Sequence, residues 1–215
     1  NYSYENGDIE ASVKHYATAS ENNIANASFK LGKIFSIENN NLKSNEKSEF
    51  YYARALNQYI ADFNEKPDGF SAYCIAWLYQ NGKGIQASTD EAEKWYKRSS
   101  DYGNPDADYQ LGYIYKDINK NELSKKHFAA SLHKYIELFN ENPNDYLAFK
   151  IGSFYQYGLG TEYDINKAIE LYKKSEELGN KKAAEKLEEI KKSQSLSASC
   201  VVTAACHFGR MINTE

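Results

Sequence analysis

The sequence contains a long internal repeat without gaps. Residues 58–84 read QYIADFNEKPDGFSAYCIAWLYQNGKG, and residues 134–160 read KYIELFNENPNDYLAFKIGSFYQYGLG. The match continues downstream, where Tyr96 pairs with Tyr172 and Gly103 pairs with Gly179. The two segments are offset by 76 residues. Repetition at a fixed offset indicates that one supersecondary unit is stacked several times, because a single unit cannot bury its apolar face alone.

Each repeat unit is predicted to be a pair of helices. Ile75, Ala76 and Tyr79 recur at helical spacing and are followed by the glycines 82 and 84, which can end a helix and turn the chain. Ser88 and Glu91 then have the spacing of a capping box that starts the second helix. Calling the two members of a pair A and B, the pattern predicts B to 22, A 24–36, B 46–64, A 68–80, B 88–102, A 105–116, B 121–140, A 144–156, B 164–178 and A 181–192.

Composition excludes several classes of protein. The net charge is −4 and Lys and Glu are interspersed, which argues against a nucleic-acid partner because that needs a clustered basic face. Three Cys are too few for a disulfide framework, and no apolar run is long enough to span a membrane. We therefore expect a cytoplasmic helical protein. Neither composition nor motif indicates its oligomeric state.

The motifs of catalysis are missing from the repeats. No glycine-rich loop follows a strand, so Gly82-Lys83-Gly84 and Gly158-Leu159-Gly160 are interpreted as repeat loops, not as phosphate-binding loops. The four His share no ligand spacing, and Cys74 is expected to be a small core residue. We predict no catalytic residue, no metal and no cofactor.

The repeat resembles a known family. The residues that carry the resemblance are Ile75-Ala76, Tyr79, Gly82, Gly84, Ala92, Trp95-Tyr96 and Gly103-Asn104, and then Ile151-Gly152, Tyr155, Gly158, Gly160, Ala168, Leu171-Tyr172 and Gly179-Asn180. This pattern is similar to the Sel1-like repeat, a relative of the tetratricopeptide repeat. The resemblance implies a right-handed all-α solenoid of antiparallel helix pairs over residues 1–192. It also implies an adaptor that binds another protein or peptide on a concave face lined by the A helices.

One stripe of the A helices is the candidate binding surface. It combines aromatic and polar side chains, as a peptide groove requires. Its residues are Tyr73, Trp77, Gln80, Tyr109, Tyr113, Lys116, Phe149, Ser153 and Gln156, with Phe29 and Lys33 at the equivalent positions of the first A helix. The alternative is core packing, which we favour for Phe29, Tyr73, Tyr109 and Phe149, whereas Trp77, Tyr113, Lys116 and Gln156 are expected to face a groove.

The C-terminal segment 193–215 differs from the repeats. It is rich in small residues, and its Cys200-Val-Val-Thr-Ala-Ala-Cys206 stretch is similar to a short C-terminal box of bacterial proteins. We interpret it as an end cap over the last helix or as a disordered tail. Two other functions stay open: thiol or metal chemistry at Cys200, Cys206 and His207, or a scaffold domain within a longer protein that is active elsewhere.

Overall fold

A computed structural model describes residues 6–38 and 41–195 of the protein. Within these ranges it consists of helices without strands, which confirms the predicted all-α solenoid of helix pairs. The helices are α1 (Asn6–Glu21), α2 (Ala25–Ser36), α3 (Asn45–Glu65), α4 (Gly69–Asn81), α5 (Thr89–Asp101), α6 (Pro105–Asp117), α7 (Asn121–Glu141), α8 (Asp145–Tyr157), α9 (Ile165–Glu177) and α10 (181–195). The A helices are the even-numbered ones.

Local capping explains why the helices begin and end at these residues. The Asp68 carboxylate accepts hydrogen bonds from Phe70 N and Ser71 N, at 2.8 and 2.9 Å, and so starts α4. Ser88 Oγ accepts from Glu91 N at 3.2 Å, which is one half of the capping box predicted for α5. The other half does not form, because the Ser88 N–H donates to Tyr79 O at 3.0 Å and the Glu91 carboxylate pairs with Lys94. Such side chains satisfy N–H groups that have no partner inside the helix. The predicted helix ends agree with the structure to within one residue, except that α10 continues to 195.

The chain divides into two compact units, Asn1–His127 and Phe128–Glu215, and the boundary falls inside α7. In the first unit, α2 packs extensively against α3, and α4 packs against α5 in the same way. In the second unit, α8 packs against α9 in the same way. Each pair is one A helix followed by its B helix, as the sequence predicts.

A buried tyrosine joins the two helices of a pair. The ring of Tyr52 lies on Gly32 of α2, where an added Cβ would come within 2.7 Å of the ring. In the second unit the ring of Tyr172 lies on Gly152 in the same way, at 3.0 Å. Tyr52 and Tyr172 are almost fully buried. The small residue in the A helix therefore permits the close approach that makes up for the lower helix propensity of glycine.

The glycine loop after an A helix packs against the B helix that precedes it. Gly84 has a φ of +69°, and a Cβ at this position would lie 2.1 Å from Ala53 N in α3. Gly160 repeats this geometry in the second unit, at 2.2 Å from Ala129 N. Gly84 N also donates a hydrogen bond to the Glu49 carboxylate at 2.7 Å. These loops are thus fixed in place, and Lys83 with them.

Candidate functional site

The first unit contains an open groove of about 610 Å³ between α2 and α4, with α3 beneath it. Six aromatic side chains line it: Phe29, Tyr52, Tyr59, Phe70, Tyr73 and Trp77. Asn26, Ser36 and Cys74 are further lining residues, and three lysines complete the wall. Grooves of this kind, apolar with a few polar groups, are the usual sites at which peptides and ligands bind.

The aromatic residues form one connected cluster. The ring centroids of Phe29 and Trp77 are 5.2 Å apart at an angle of 68°, and those of Phe29 and Tyr52 are 5.6 Å apart at 74°. Trp77 also contacts Tyr52, with centroids 6.2 Å apart. Edge-to-face contacts of this type stabilise the arrangement beyond the apolar area that they bury. Phe29 and Trp77 are half-buried, so part of each ring stays available to a partner.

Three lysines, Lys30, Lys33 and Lys83, line the groove, and none of its lining residues is acidic. Lys30 and Lys33 are exposed on α2, and Lys83 is half-buried in the glycine loop after α4. No carboxylate of the described residues lies within ion-pair distance of these three ammonium groups. The groove therefore combines an apolar floor with positive charge.

Cys74 and Tyr59 lie at the bottom of the groove, and neither the thiol nor the phenol ionises near neutral pH. Burial raises the pKa of Cys74 from 9.0 to about 11, so the thiol stays protonated and is a poor nucleophile. Burial, together with the neighbouring Cys74, also raises the pKa of Tyr59. The Tyr59 hydroxyl is buried and has no oxygen or nitrogen partner among the described residues. The expectation that Cys74 is a core residue is confirmed.

The structure brings four residues of the predicted stripe into this groove. They are Phe29, Lys33, Tyr73 and Trp77. Tyr73 also packs on Tyr96 of α5, with ring centroids 5.5 Å apart. It therefore combines the packing role that the sequence favoured with a place on the groove wall.

The next residue of the stripe, Gln80, has a specific structural partner. Its Oε1 accepts a hydrogen bond from the buried Tyr96 hydroxyl at 2.6 Å. In the second unit, Gln156 Oε1 accepts from the Tyr172 hydroxyl at the same distance. Because the two pairs are equivalent in the repeat, the glutamine is a fixed anchor for the buried tyrosine as well as a half-buried surface residue.

On α6 the stripe forms a ladder along one helix face. The rings of Tyr109 and Tyr113 contact each other, with centroids 5.0 Å apart, and their hydroxyls are 3.3 Å apart. The Lys116 ammonium lies 6.0 Å from the Tyr113 ring, within cation–π range. Both tyrosines are half-buried and Lys116 is exposed.

In the second unit, the stripe residues surround Tyr172. Phe149 packs on the Tyr172 ring, with centroids 5.3 Å apart. The Tyr172 hydroxyl donates to Ser153 Oγ at 3.2 Å as well as to Gln156. All three stripe residues are half-buried. These side chains are therefore used in joining α8 to α9.

Sequence reasoning missed several residues of the groove in the first unit. Tyr52 and Tyr59 come from a B helix, whereas the predicted site residues were all taken from the A helices. Lys83 was treated as part of a repeat loop, although the packing of Gly84 against Ala53 fixes this loop beside α3. The helical spacing of Lys30 and Lys33 next to Phe29 was the available signal for a basic wall.

In the described ranges, no group of three His, Cys, Asp or Glu residues could hold a metal ion. No helix in residues 6–38 and 41–195 has the length and apolar character that crossing a membrane requires. The predicted end cap and the thiol or metal alternative at Cys200, Cys206 and His207 lie outside the described residues, as does most of segment 193–215.

The repeats match a known family, and the chain is similar to solved structures of repeat proteins. The Sel1 repeat family model matches residues 70–104, 105–117 and 146–180. The chain is similar in structure to a Sel1 repeat protein from Oxalobacter formigenes, with 19% identity, a TM-score of 0.45, and coverage of 78% of this chain and 63% of that chain. It is also similar to c5321, a protective antigen of uropathogenic Escherichia coli strains that displays an SLR fold, with 24% identity, a TM-score of 0.49, and coverage of 81% and 35%. This chain thus spans less than two thirds of the length of either protein.

Proposed function

This chain is a Sel1-like repeat protein, and from that premise we propose that it is an interaction module that holds a segment of another protein in the groove between α2 and α4. Sel1 repeats are generally protein-interaction modules and not catalysts. The observation that carries the proposal is the set of half-buried aromatic rings Phe29, Tyr73 and Trp77, which line a groove large enough for several side chains.

Rigid aromatic anchors support binding for a physical reason. Trp and Tyr present a large contact area and lose little conformational entropy when a partner docks, especially when neighbours already hold them. Trp77 is held by Phe29 and Tyr52 through ring contacts. A partner side chain that enters the groove would find a surface that is already organised, so most of the ordering cost is absent.

We assign the remaining stripe residues to two supporting roles. Tyr109, Tyr113 and Lys116 form a second aromatic and basic surface on α6 that would extend the contact. Gln80 and Gln156, together with Ser153 and Phe149, would act mainly by holding the buried tyrosines in place. A catalytic role is not proposed, since the groove thiol is protonated at neutral pH.

The test is a pull-down from the source cell that compares the wild type with Trp77→Ala. Phe50→Ala is the matched control, because Phe50 is an aromatic residue with 57% exposure that does not line the groove. We expect a specific partner to be recovered with the wild type and with Phe50→Ala but lost with Trp77→Ala. Far-UV circular dichroism and the thermal midpoint of all three proteins must show that the fold is intact.

Two results would contradict the proposal. A partner that is retained by Trp77→Ala at wild-type affinity does not use the groove. A partner that is lost when Cys200 and Cys206 are replaced by Ser, with Trp77 unchanged, depends on the C-terminal cysteines. The second result would favour the alternative of thiol chemistry over an adaptor.

A further inference from the structure

We propose that the occupant of the groove is an acidic peptide, in which a large apolar side chain is flanked by Asp or Glu residues. This inference rests on the proposed function and adds to it the chemistry of the partner. The two parts of such a peptide correspond to two features of the groove, the aromatic floor and the lysine wall.

The aromatic rings at the bottom of the groove would bind the apolar side chain of the peptide. Phe29, Trp77 and Tyr52 contact one another and line the groove, where Phe29 and Trp77 are half-buried and Tyr52 is buried. Neighbouring Tyr73 adds a fourth ring along α4. An aromatic or large aliphatic side chain would bury its surface against these rings, whereas a fully charged segment would have to lose hydration there without compensation.

The three lysines that line the groove would bind the carboxylates of the peptide. Lys30 and Lys33 lie on α2, and Lys83 lies on the loop that follows α4, so the basic residues come from two elements of the groove. The glycine at position 84, packed against the backbone of Ala53, fixes the loop that carries Lys83. Lysines on two elements can contact acidic residues on either side of one buried anchor.

The lysines of the groove differ from several other lysines of the first unit, which form ion pairs. Lys94 and Lys97 of α5 are each 2.6 Å from a glutamate of the same helix. Among the described residues, Lys30, Lys33 and Lys83 have no such partner, and the lining residues include no carboxylate. Glu49 lies near the same loop, but its carboxylate accepts the hydrogen bond from Gly84 N and does not line the groove.

The local charge is also opposite to that of the whole chain, which has a net charge of −4. A basic patch on an acidic protein attracts acidic segments locally, while the rest of the surface repels them, so the attraction is specific for the groove. The same overall charge disfavours nucleic acid, which would need phosphate contacts over a wider basic surface.

The first experiment selects peptides from a phage-displayed library of random dodecamers. The full chain is the bait, and peptides that also bind Trp77→Ala are removed by counter-selection. We expect the recovered peptides to be enriched in Asp and Glu next to Phe, Trp or Leu. Trp77-dependent peptides without acidic enrichment would overturn the inference and leave the proposed function intact. If no Trp77-dependent peptide is recovered, the inference is wrong, and the pull-down then decides the proposed function separately.

The second experiment measures the affinity of the best selected peptide by fluorescence anisotropy. Lys33→Gln/Lys83→Gln is compared with the wild type and with Lys94→Gln, a matched control for an exposed lysine away from the groove. Because each exposed ion pair contributes a factor of about two to five in affinity, the double variant should weaken binding by roughly tenfold. The control should leave the affinity unchanged.

The charge of the probe supplies the reciprocal test. A peptide in which Asn and Gln replace Asp and Glu should bind roughly tenfold more weakly to the wild type, and equally weakly to Lys33→Gln/Lys83→Gln. Equal affinity of the acidic and amide peptides for the wild type would overturn the inference. So would tighter binding of a labelled dT12 oligonucleotide in competition with the acidic peptide, because the groove would then be a nucleic-acid site.

Discussion

Replacement of Gly84 by Ala tests the packing of the glycine loop against α3. An Ala residue at a φ of +69° costs about 1–2 kcal/mol because its Cβ crowds the backbone in the left-handed conformation. The new Cβ would also lie 2.1 Å from Ala53 N, which forces the loop away and adds about 1–3 kcal/mol of overpacking. We therefore expect Gly84→Ala to lower the free energy of unfolding by about 3 kcal/mol or more.

Gly103→Ala is the matched control for this substitution. Gly103 also has a positive φ, +82°, but an added Cβ there meets no atom within 4 Å. Only the backbone term applies, so the expected loss is about 1 kcal/mol. The difference between the two variants isolates the contact between the loop and the helix, since the conformational cost is common to both.

Urea unfolding monitored by tryptophan fluorescence is a suitable assay. The chain has two Trp residues, Trp77 and Trp95, and both lie in the first unit with Gly84. If Gly84→Ala and Gly103→Ala destabilise this unit equally, to within about 0.5 kcal/mol, the close approach of the loop to α3 does not exist in solution and our reasoning is refuted. Gly160→Ala and Gly179→Ala repeat the comparison in the second unit, with circular dichroism as the probe.

Three further outcomes are expected. Tyr96→Phe removes the hydroxyl that donates to Gln80, so it should lower the free energy of unfolding in urea by about 1 kcal/mol. Tyr59→Phe removes a buried hydroxyl without an oxygen or nitrogen partner, so it should leave this free energy unchanged or slightly higher. Burial raises the pKa of Cys74 to about 11, so at pH 7 its thiolate fraction is about 100-fold below that of a thiol of pKa 9.0. In a variant whose C-terminal cysteines are replaced by Ser, a thiol reagent should therefore modify Cys74 quickly only in denaturant. Fast modification of the folded variant would contradict this expectation. Burial alone raises the pKa of Asp68, but the hydrogen bonds that its carboxylate accepts at the start of α4 lower this pKa overall. The stability that the cap contributes should therefore be present at neutral pH and lost as the pH falls below about 4. Acid unfolding of Asp68→Asn should show a smaller loss of stability over the same pH range than the wild type.

Helix positions were predictable because their signals are local. A cap such as Ser88 bonds to a backbone group three residues away, and a glycine ends a helix through its own φ. Neither interaction depends on distant parts of the chain. The repeat added independent copies of each signal, so the predicted ends are accurate to within one residue except at the end of α10.

The candidate site was predicted only in part. Trp77 and Tyr73 follow from the A-helix stripe because helical periodicity places them on one face. Tyr52 and Tyr59 could not be assigned to the same groove, because the angle between α3 and its neighbours decides which rings reach the surface between α2 and α4. Lys83 depends in addition on the contact of its loop with Ala53, which is 30 positions away in the sequence.

The sequence by itself determined the repeat, the helix pairs and the residues that face inward, since these follow from periodicity, capping and the conformational freedom of glycine. Only the tertiary structure decided which side chains meet. It placed Gln80 and Gln156 on buried tyrosine hydroxyls, and it gathered Lys30, Lys33 and Lys83 around one aromatic floor. The physical reason is that side chains from separate helices meet at distances set by packing, and small residues such as Gly32 allow those helices to approach closely.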